Sequence, residues 1–125
     1  MTNVFDGDTQ VDASFLEGFL DAWNQHDIEG ILATLNPDCV YITGDGKRFT
    51  GHEEIRAGLS AFLQTYPDAH WYDARHFVSG DRGASEWILT ATAVDGGRIE
   101  LDACDLFEFR DGKISVVSAY RRDRP

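Results

Sequence analysis

Basic residues are scarce in this sequence: 11 Lys and Arg stand against 22 Asp and Glu, which gives a formal net charge of −11. Nucleic acids and anionic membranes attract proteins through a basic surface, so we expect neither as a partner. No apolar run is long enough to span a bilayer, and the first residues lack the basic and apolar regions of a signal peptide. We therefore expect a cytoplasmic protein.

Cysteine frameworks and metal-type histidine patterns are also lacking. Cys39 and Cys104 are far apart in the sequence, which favours free thiols over a disulfide framework. None of the four histidines forms an i, i+4 helical pair or an HxH strand pair. The sequence therefore predicts neither a metal nor another cofactor. A structural or exposed role is favoured for each histidine, with His52 and His76 the best suited to acid/base chemistry.

The patterns that are present predict one α+β domain. Residues 1–10 are polar and without periodicity, which predicts a flexible tail, and residues 11–125 form the domain. Apolar residues at helical spacing follow the capping-box sequences Ser14-x-x-Glu17 and Thr50-x-x-Glu53, and a short helix follows Asp27. Strand-like runs separated by Gly-containing turns cover residues 38–43, 69–78, 84–94, 98–109 and 113–121.

One carboxylate interrupts an apolar strand face near the C-terminus. Asp111-Gly112 between two apolar runs predicts a long hairpin. Alternation along its first arm places Asp105 on the same face as Ala103 and Phe107. A buried charged carboxylate costs several kcal/mol unless it is paired or its pKa rises. Asp105 is therefore the first candidate for a functional residue.

Several segments carry a family resemblance when their order and spacing are taken together. They are FLDAWNQHD, PDCVYI, GKRFTGHEEI, GASEWILTATAVDGG and CDLFEFRDGKISVVSAYRR. The sequence resembles the nuclear-transport-factor-2-like superfamily, and within it the SnoaL-like polyketide cyclase and ketosteroid isomerase branch. The resemblance implies a cone-shaped fold in which three N-terminal helices pack on a strongly curved, mostly antiparallel sheet that encloses a pocket. It also implies a homodimer through the outer face of the sheet, here Val116, Ser118, Tyr120 and Leu106.

The isomerase branch provides a residue-by-residue comparison. Its protonated Asp, a known neutral carboxylic acid, matches Asp105. Its general base matches Thr43 and its pocket Tyr matches Phe19. Thr43 is no base near neutral pH and Phe19 donates no hydrogen bond, so steroid isomerisation by that mechanism is not expected.

A wider pocket is predicted from strand alternation. It brings Asp105, Glu86 and Arg121 together as candidate catalytic residues, reminiscent of the epoxide hydrolases of the superfamily. The alternative is a buried network in which Arg121 only neutralises Asp105. The predicted substrate-binding residues are Phe19, Trp23, Tyr41, Thr43, Ile88, Thr90 and Val117.

Two functions remain open at this stage. The first is a cofactor-independent acid/base enzyme of isomerase, cyclase, dehydratase or hydrolase type, which acts on a small, largely apolar molecule through Asp105. The second is a non-catalytic ligand-binding or dimeric accessory domain with the same pocket. Both predict a closed cavity of roughly a few hundred Å³ or more. A protein-interaction module is a third, weaker reading, because no dedicated surface patch is evident.

Overall fold

Helices and one sheet account for most of residues 11–125, the part of the chain that this computed structural model describes. The predicted flexible tail, residues 1–10, lies outside the described residues. In chain order the elements are α1 (Ala13–Asn24), α2 (Ile28–Ala33), β1 (Leu35–Ile42), β2 (Arg48–Thr50), α3 (Gly51–Thr65), β3 (His70–Ser79), β4 (Arg82–Thr92), β5 (Arg98–Arg110) and β6 (Lys113–Asp123).

The helix starts differ in detail from the predicted capping boxes. Asp12, not Ser14, caps α1 by accepting a hydrogen bond from the backbone N–H three residues on. Asp27 caps α2 in the same way, as predicted. Thr50 precedes α3 without a side-chain cap, and its own N–H donates to Glu54 instead of Glu53. Each misassigned helix start involves a competing acidic residue one or two positions away.

The six strands form one sheet in the order β2-β1-β6-β5-β4-β3. Every neighbouring pair is antiparallel except β1 and β6, which run parallel. The predicted fold class is therefore confirmed: three helices pack on a curved, mostly antiparallel sheet. β1 begins at Leu35, earlier than predicted, and the short β2 was not predicted at all.

Two apolar clusters lie between the helices and the concave face of the sheet. The larger cluster joins Leu16 and Phe19 of α1 to Phe107 and Val117 of the C-terminal hairpin. The smaller cluster is built around Trp71, Leu89 and Leu101. Trp23 packs against both clusters. The candidate site lies where the two clusters meet.

Candidate active site

A mostly apolar cavity of about 150 Å³ lies between α1, α3 and the sheet. It is smaller than the sequence-based expectation of a few hundred Å³. A cavity of this size accommodates a benzene-sized molecule. The main aromatic walls are Phe19, Trp23, Tyr41, Phe62, Trp71 and Trp87. The geometry therefore fits one ring.

Asp105 lies on β5 in the wall of this cavity and is only 3% exposed. Its Oδ1 has no hydrogen-bond partner among residues 11–125. Burial disfavours the charged form and raises the pKa of Asp105 to about 7. The Trp87 indole N–H approaches the carboxyl without reaching ordinary hydrogen-bond geometry, and its attraction for the carboxylate opposes the shift. Asp105 is therefore a carboxylic acid that changes its charge near neutral pH.

Tyr41 supplies a second oxygen close to this acid. Burial, followed by the charges of Asp105 and Cys39, raises the pKa of Tyr41 well above its usual value. The phenol therefore keeps its proton at neutral pH, as a donor in the wall that it shares with Asp105.

Phe19, Trp23, Tyr41 and Thr43 all line the cavity, where the sequence analysis placed them. The Thr43 hydroxyl also makes hydrogen bonds within the turn that follows β1, to Asp45 and to the backbone N–H of Lys47. Val117 is fully buried in the larger apolar cluster and does not line the cavity. Its predicted contact with a substrate is therefore not what the structure shows.

Glu86 lies on the opposite face of the sheet from Asp105. Its cross-strand neighbour is Cys104, and its carboxylate is 3.5 Å from the Arg75 guanidinium with about half of its side chain exposed. The predicted convergence of Glu86 with Asp105 is wrong. Ile88 and Thr90 follow Glu86 at spacing two and do not line the cavity either.

The side chains of β4 that face the cavity are offset by one residue from those predicted. Ser85, Trp87 and Leu89 of β4 line the cavity in place of the predicted residues. A one-residue change of phase moves every side chain of a strand to the other face. The sequence carried a signal, because the Ser85 set is more apolar than the Glu86 set. Ser85 is therefore a site residue that the sequence analysis missed.

Arg121 lies at the rim of the cavity and does not neutralise Asp105. No guanidinium nitrogen of Arg121 is within 4.0 Å of a carboxylate oxygen of Asp105. The stem of Arg121 passes over Gly44, where a Cβ atom would be 2.7 Å from Cδ of the arginine. The predicted ion pair is therefore absent, and Asp105 faces the cavity without a cationic partner among the described residues.

His76 joins the site because of an irregularity in β3. Between Tyr72 and Arg75 the strand carries one more residue than β4 opposite it. Asp73 in this segment has a φ of 55°. The β-bulge brings His76 to the face that lines the cavity, opposite Ser85. His76 Nδ1 is 2.7 Å from Ser85 Oγ.

Two other histidines, His26 and His52, lie outside the cavity wall. The ring nitrogens of His26 and His52 bond to backbone carbonyls of Ala69 and Leu35, which is a structural role. Within residues 11–125 no cluster of three or more His, Cys, Asp or Glu side chains is arranged to hold a metal ion. Cys39 and Cys104 are both free thiols, as predicted.

A sequence model of the SnoaL-like domain matches residues 16–117. The chain belongs to the SnoaL-like domain family. The match begins within α1, ends within β6 and includes Asp105, so this SnoaL-like domain carries its candidate acid inside the family region. No curated protein matches the sequence.

Solved structures share the fold of this SnoaL-like domain. A candidate polyketide cyclase from a Silicibacter species is 23% identical with a TM-score of 0.81, over 96% of this chain and 93% of that one. A candidate polyketide cyclase from Xanthomonas campestris pv. campestris is 21% identical with a TM-score of 0.80, over 86% and 87%. TerC, co-crystallised with polyporic acid, is 21% identical with a TM-score of 0.78, over 88% and 90%. At these identities the likeness shows the fold alone.

No helix within the described residues is long and apolar enough to cross a bilayer.

Proposed function

We propose that this SnoaL-like domain binds a small, ring-sized, largely apolar molecule that carries an oxygen function, and that Asp105 exchanges a proton with that oxygen. The observation that carries the proposal is the Oδ1 atom of Asp105, which is buried in the cavity wall without a partner among the described residues. Buried polar atoms are nearly always satisfied, so an exception next to a cavity marks a place for a ligand group.

The apolar walls and the single titrating acid define the chemistry of this pocket. A buried carboxylic acid whose pKa is about 7 donates a proton below that pH and accepts one above it. General acid/base groups work best when their pKa lies near the working pH. The neutral Tyr41 phenol offers a second hydrogen bond to a carbonyl, hydroxyl or ether oxygen. Reactions of the isomerase, cyclase, dehydratase or hydrolase type all need such a group.

Proteins of the same fold support a small-molecule role. TerC was co-crystallised with polyporic acid, and a protein from Catenulispora acidiphila with the ketosteroid isomerase-like fold was crystallised in complex with trimethylamine. These ligands belong to those proteins, at 21% and 15% identity. They support the proposal that the cavity of this protein binds a small molecule, but they do not identify that molecule.

The alternative is a ligand-binding domain without catalysis. It uses the same cavity, and its supporting observation is that Asp105 is the one carboxylate among the described residues that line this cavity. Glu86 faces away, and Thr43 matches the base of the isomerase branch. In that case Asp105 only forms a hydrogen bond to the bound molecule. If the protein converts a ligand and this turnover is lost when Asp105 is replaced, the protein is an enzyme.

Binding of a probe at different pH values tests the proposal. All three tryptophans of the chain line the cavity, so intrinsic fluorescence reports occupancy. We expect cyclohexanone, whose carbonyl accepts a hydrogen bond, to bind more tightly at pH 5.5 than at pH 8.5, because only the protonated Asp105 donates to it. Methylcyclohexane should show no such dependence.

Two variants complete this experiment. Asp105→Asn should remove the pH dependence of cyclohexanone binding. Asp102→Asn is the matched control, since Asp102 is on the same strand but forms ion pairs with Arg122 and Arg124 outside the cavity. The proposal would be contradicted if the wild-type protein bound cyclohexanone equally well at both pH values. It would also be contradicted if Asp105→Asn kept the same pH dependence as Asp102→Asn.

The outer face of the sheet is the proposed dimer interface. Phe77, Ala84, Leu106 and Ser118 form one cross-strand row there, and Phe77 and Leu106 are both exposed. Exposed apolar patches rimmed by charge are typical of protein interfaces. Acidic and basic side chains flank this row, so the surface can be complementary to a second copy of itself.

A further inference from the structure

A histidine and a serine that the proposed function does not use lie beside Asp105 in one row across the sheet. His76 is opposite Ser85 on β3 and β4, and Ser85 is opposite Asp105 on β4 and β5. All three residues line the cavity. Since neighbouring strands are about 4.8 Å apart, the backbones of His76 and Asp105 are separated by about 10 Å. The cavity wall therefore carries an ionisable group on either side of Ser85.

Ser85 holds the imidazole in a defined orientation. The serine is 3% exposed and its Oγ lies 2.7 Å from Nδ1 of His76. When the Nδ1–H donates to Ser85 Oγ, the lone pair of the neutral ring is on Nε2. Within residues 11–125 the Nδ1 contact is the one side-chain hydrogen bond of His76. Nε2 is thus available to a molecule in the cavity.

Burial favours the neutral ring of His76 over the charged one. Burial lowers the pKa of His76, whereas Glu17 and Asp21 of α1 act in the opposite direction, and the net shift is downward. Asp105, two strands away, carries the opposite perturbation, because its burial raises its pKa. Two groups whose pKa values are shifted in opposite directions by their surroundings are typical of an acid/base pair.

We propose that His76 and Asp105 act as a base and an acid on a small cyclic ketone and convert it to its enol, with Ser85 as the residue that positions His76. This inference rests on the proposed function, in which Asp105 donates a proton to a bound oxygen. It adds the base that Thr43 and Glu86 do not supply.

These two groups alone account for every proton and electron pair that moves during enol formation. Nε2 of His76 takes a proton from the carbon next to the carbonyl, and the electron pair of the broken C–H bond forms the C=C bond. The carbonyl π pair moves to the oxygen, which takes the Asp105 proton. The enol, an imidazolium and a carboxylate result, and reverse transfer restores all three. If the ketone has a β,γ double bond, the dienol can take the imidazolium proton at the γ carbon and return its O–H proton to Asp105, which gives an isomer. If it has a β-hydroxyl group, that group can leave as water with the imidazolium proton while the enol O–H proton returns to Asp105, which gives a dehydration.

Exchange of the C2 protons of cyclohexanone in D2O, followed by proton NMR, measures this step directly. We expect the wild-type protein to accelerate exchange over buffer with a bell-shaped pH profile. The rate rises as His76 loses its proton and falls as Asp105 loses its own. His76→Gln should lower the rate about 100-fold and remove the acid limb of the profile. Asp105→Asn should remove the alkaline limb.

Three further variants separate a chemical role from a structural one. Ser85→Ala should lower the rate less than His76→Gln does, and it should change the Nδ1 chemical shift of His76. Added imidazole should restore exchange to His76→Ala, which it would not do for a histidine that only supports the fold. His70→Gln is the matched control, because His70 is exposed on the same strand and stacks on Tyr72.

The outcomes distinguish this pair from the proposed function. Exchange that is lost in Asp105→Asn but kept in His76→Gln overturns the pair and leaves the role of Asp105 in place. Binding of cyclohexanone that depends on Asp105, without accelerated exchange, overturns the pair as well. If Asp105→Asn changes neither the binding of cyclohexanone nor its proton exchange, the proposed function itself is contradicted.

Discussion

Asp105 shows how one residue can be identified from sequence while its partners are not. A carboxylate in an apolar alternation signals an unusual environment whatever surrounds it, because the cost of burial is large. The partners depend on which face each neighbouring strand presents. Alternation along β4 predicted that the face of Glu86 lines the pocket, and in the structure the face of Ser85 lines it instead. The chemistry of a site is therefore harder to predict than its central residue.

Burial of Asp105 makes the stability of the protein depend on pH. Its pKa is about 7 in the folded state, against the ordinary aspartate pKa of 3.8 in the unfolded chain. Between these values the folded state binds more protons, so the contribution to stability is complete below about pH 4 and is lost as the pH rises through about 7. The loss is on the order of 4 kcal/mol.

Urea unfolding at a series of pH values measures this contribution. The difference in unfolding free energy between Asp105→Asn and wild type should grow in favour of the variant from pH 5 to pH 8. Asp102→Asn provides the comparison for removal of a carboxylate from the same strand. A difference between Asp105→Asn and wild type that stays constant with pH would show that Asp105 titrates normally.

At the level of the elements, the bulge in β3 decides what the cavity contains. The sequence predicted this strand at 69–78, close to the observed His70–Ser79. It gave no sign of the extra residue near Asp73, because bulges have no strong single-sequence signature. Without that residue, regular alternation from Trp71 would put His76 on the outer face.

Substitutions at Asp73 test the role of the bulge. Its φ of 55° lies in the left-handed region, which Asp tolerates and β-branched residues do not. Asp73→Val should reduce the free energy of unfolding by about 1–2 kcal/mol and weaken the His76–Ser85 hydrogen bond, as seen in the imidazole chemical shifts. Asp73→Gly should keep both. Equal stability of the two variants would show that the bulge is not held by this backbone conformation.

For the molecule as a whole, local patterns were sufficient to predict the fold class. The strands from β3 to β6 follow one another through short turns, so sequence neighbours are also sheet neighbours. The parallel pairing of β1 with β6 joins two strands that are far apart in the sequence, and it leaves no local signal. The volume of the cavity could not be predicted from the sequence either, because it depends on how the aromatic side chains of both clusters pack.

The outer face of the sheet gives a prediction about assembly. Leu106 is 46% exposed in the apolar row of that face. We expect a homodimer by size-exclusion chromatography with light scattering at micromolar concentration. Leu106→Glu should give a monomer, because a dimer with two-fold symmetry would place two added carboxylates close together. Asp95→Asn, in the turn before β5, is the control. A monomeric wild-type protein would contradict the interface.

The central claim is that Asp105 is a buried acid with a pKa near neutrality at the wall of a ligand cavity. Carbon-13 NMR of side-chain carboxyls, with Asp105 assigned through the Asp105→Asn spectrum, titrates this group directly. The predicted result is a midpoint of about 7 that moves when cyclohexanone binds. A midpoint near the ordinary aspartate value of about 4, unchanged by the probe, would contradict the account.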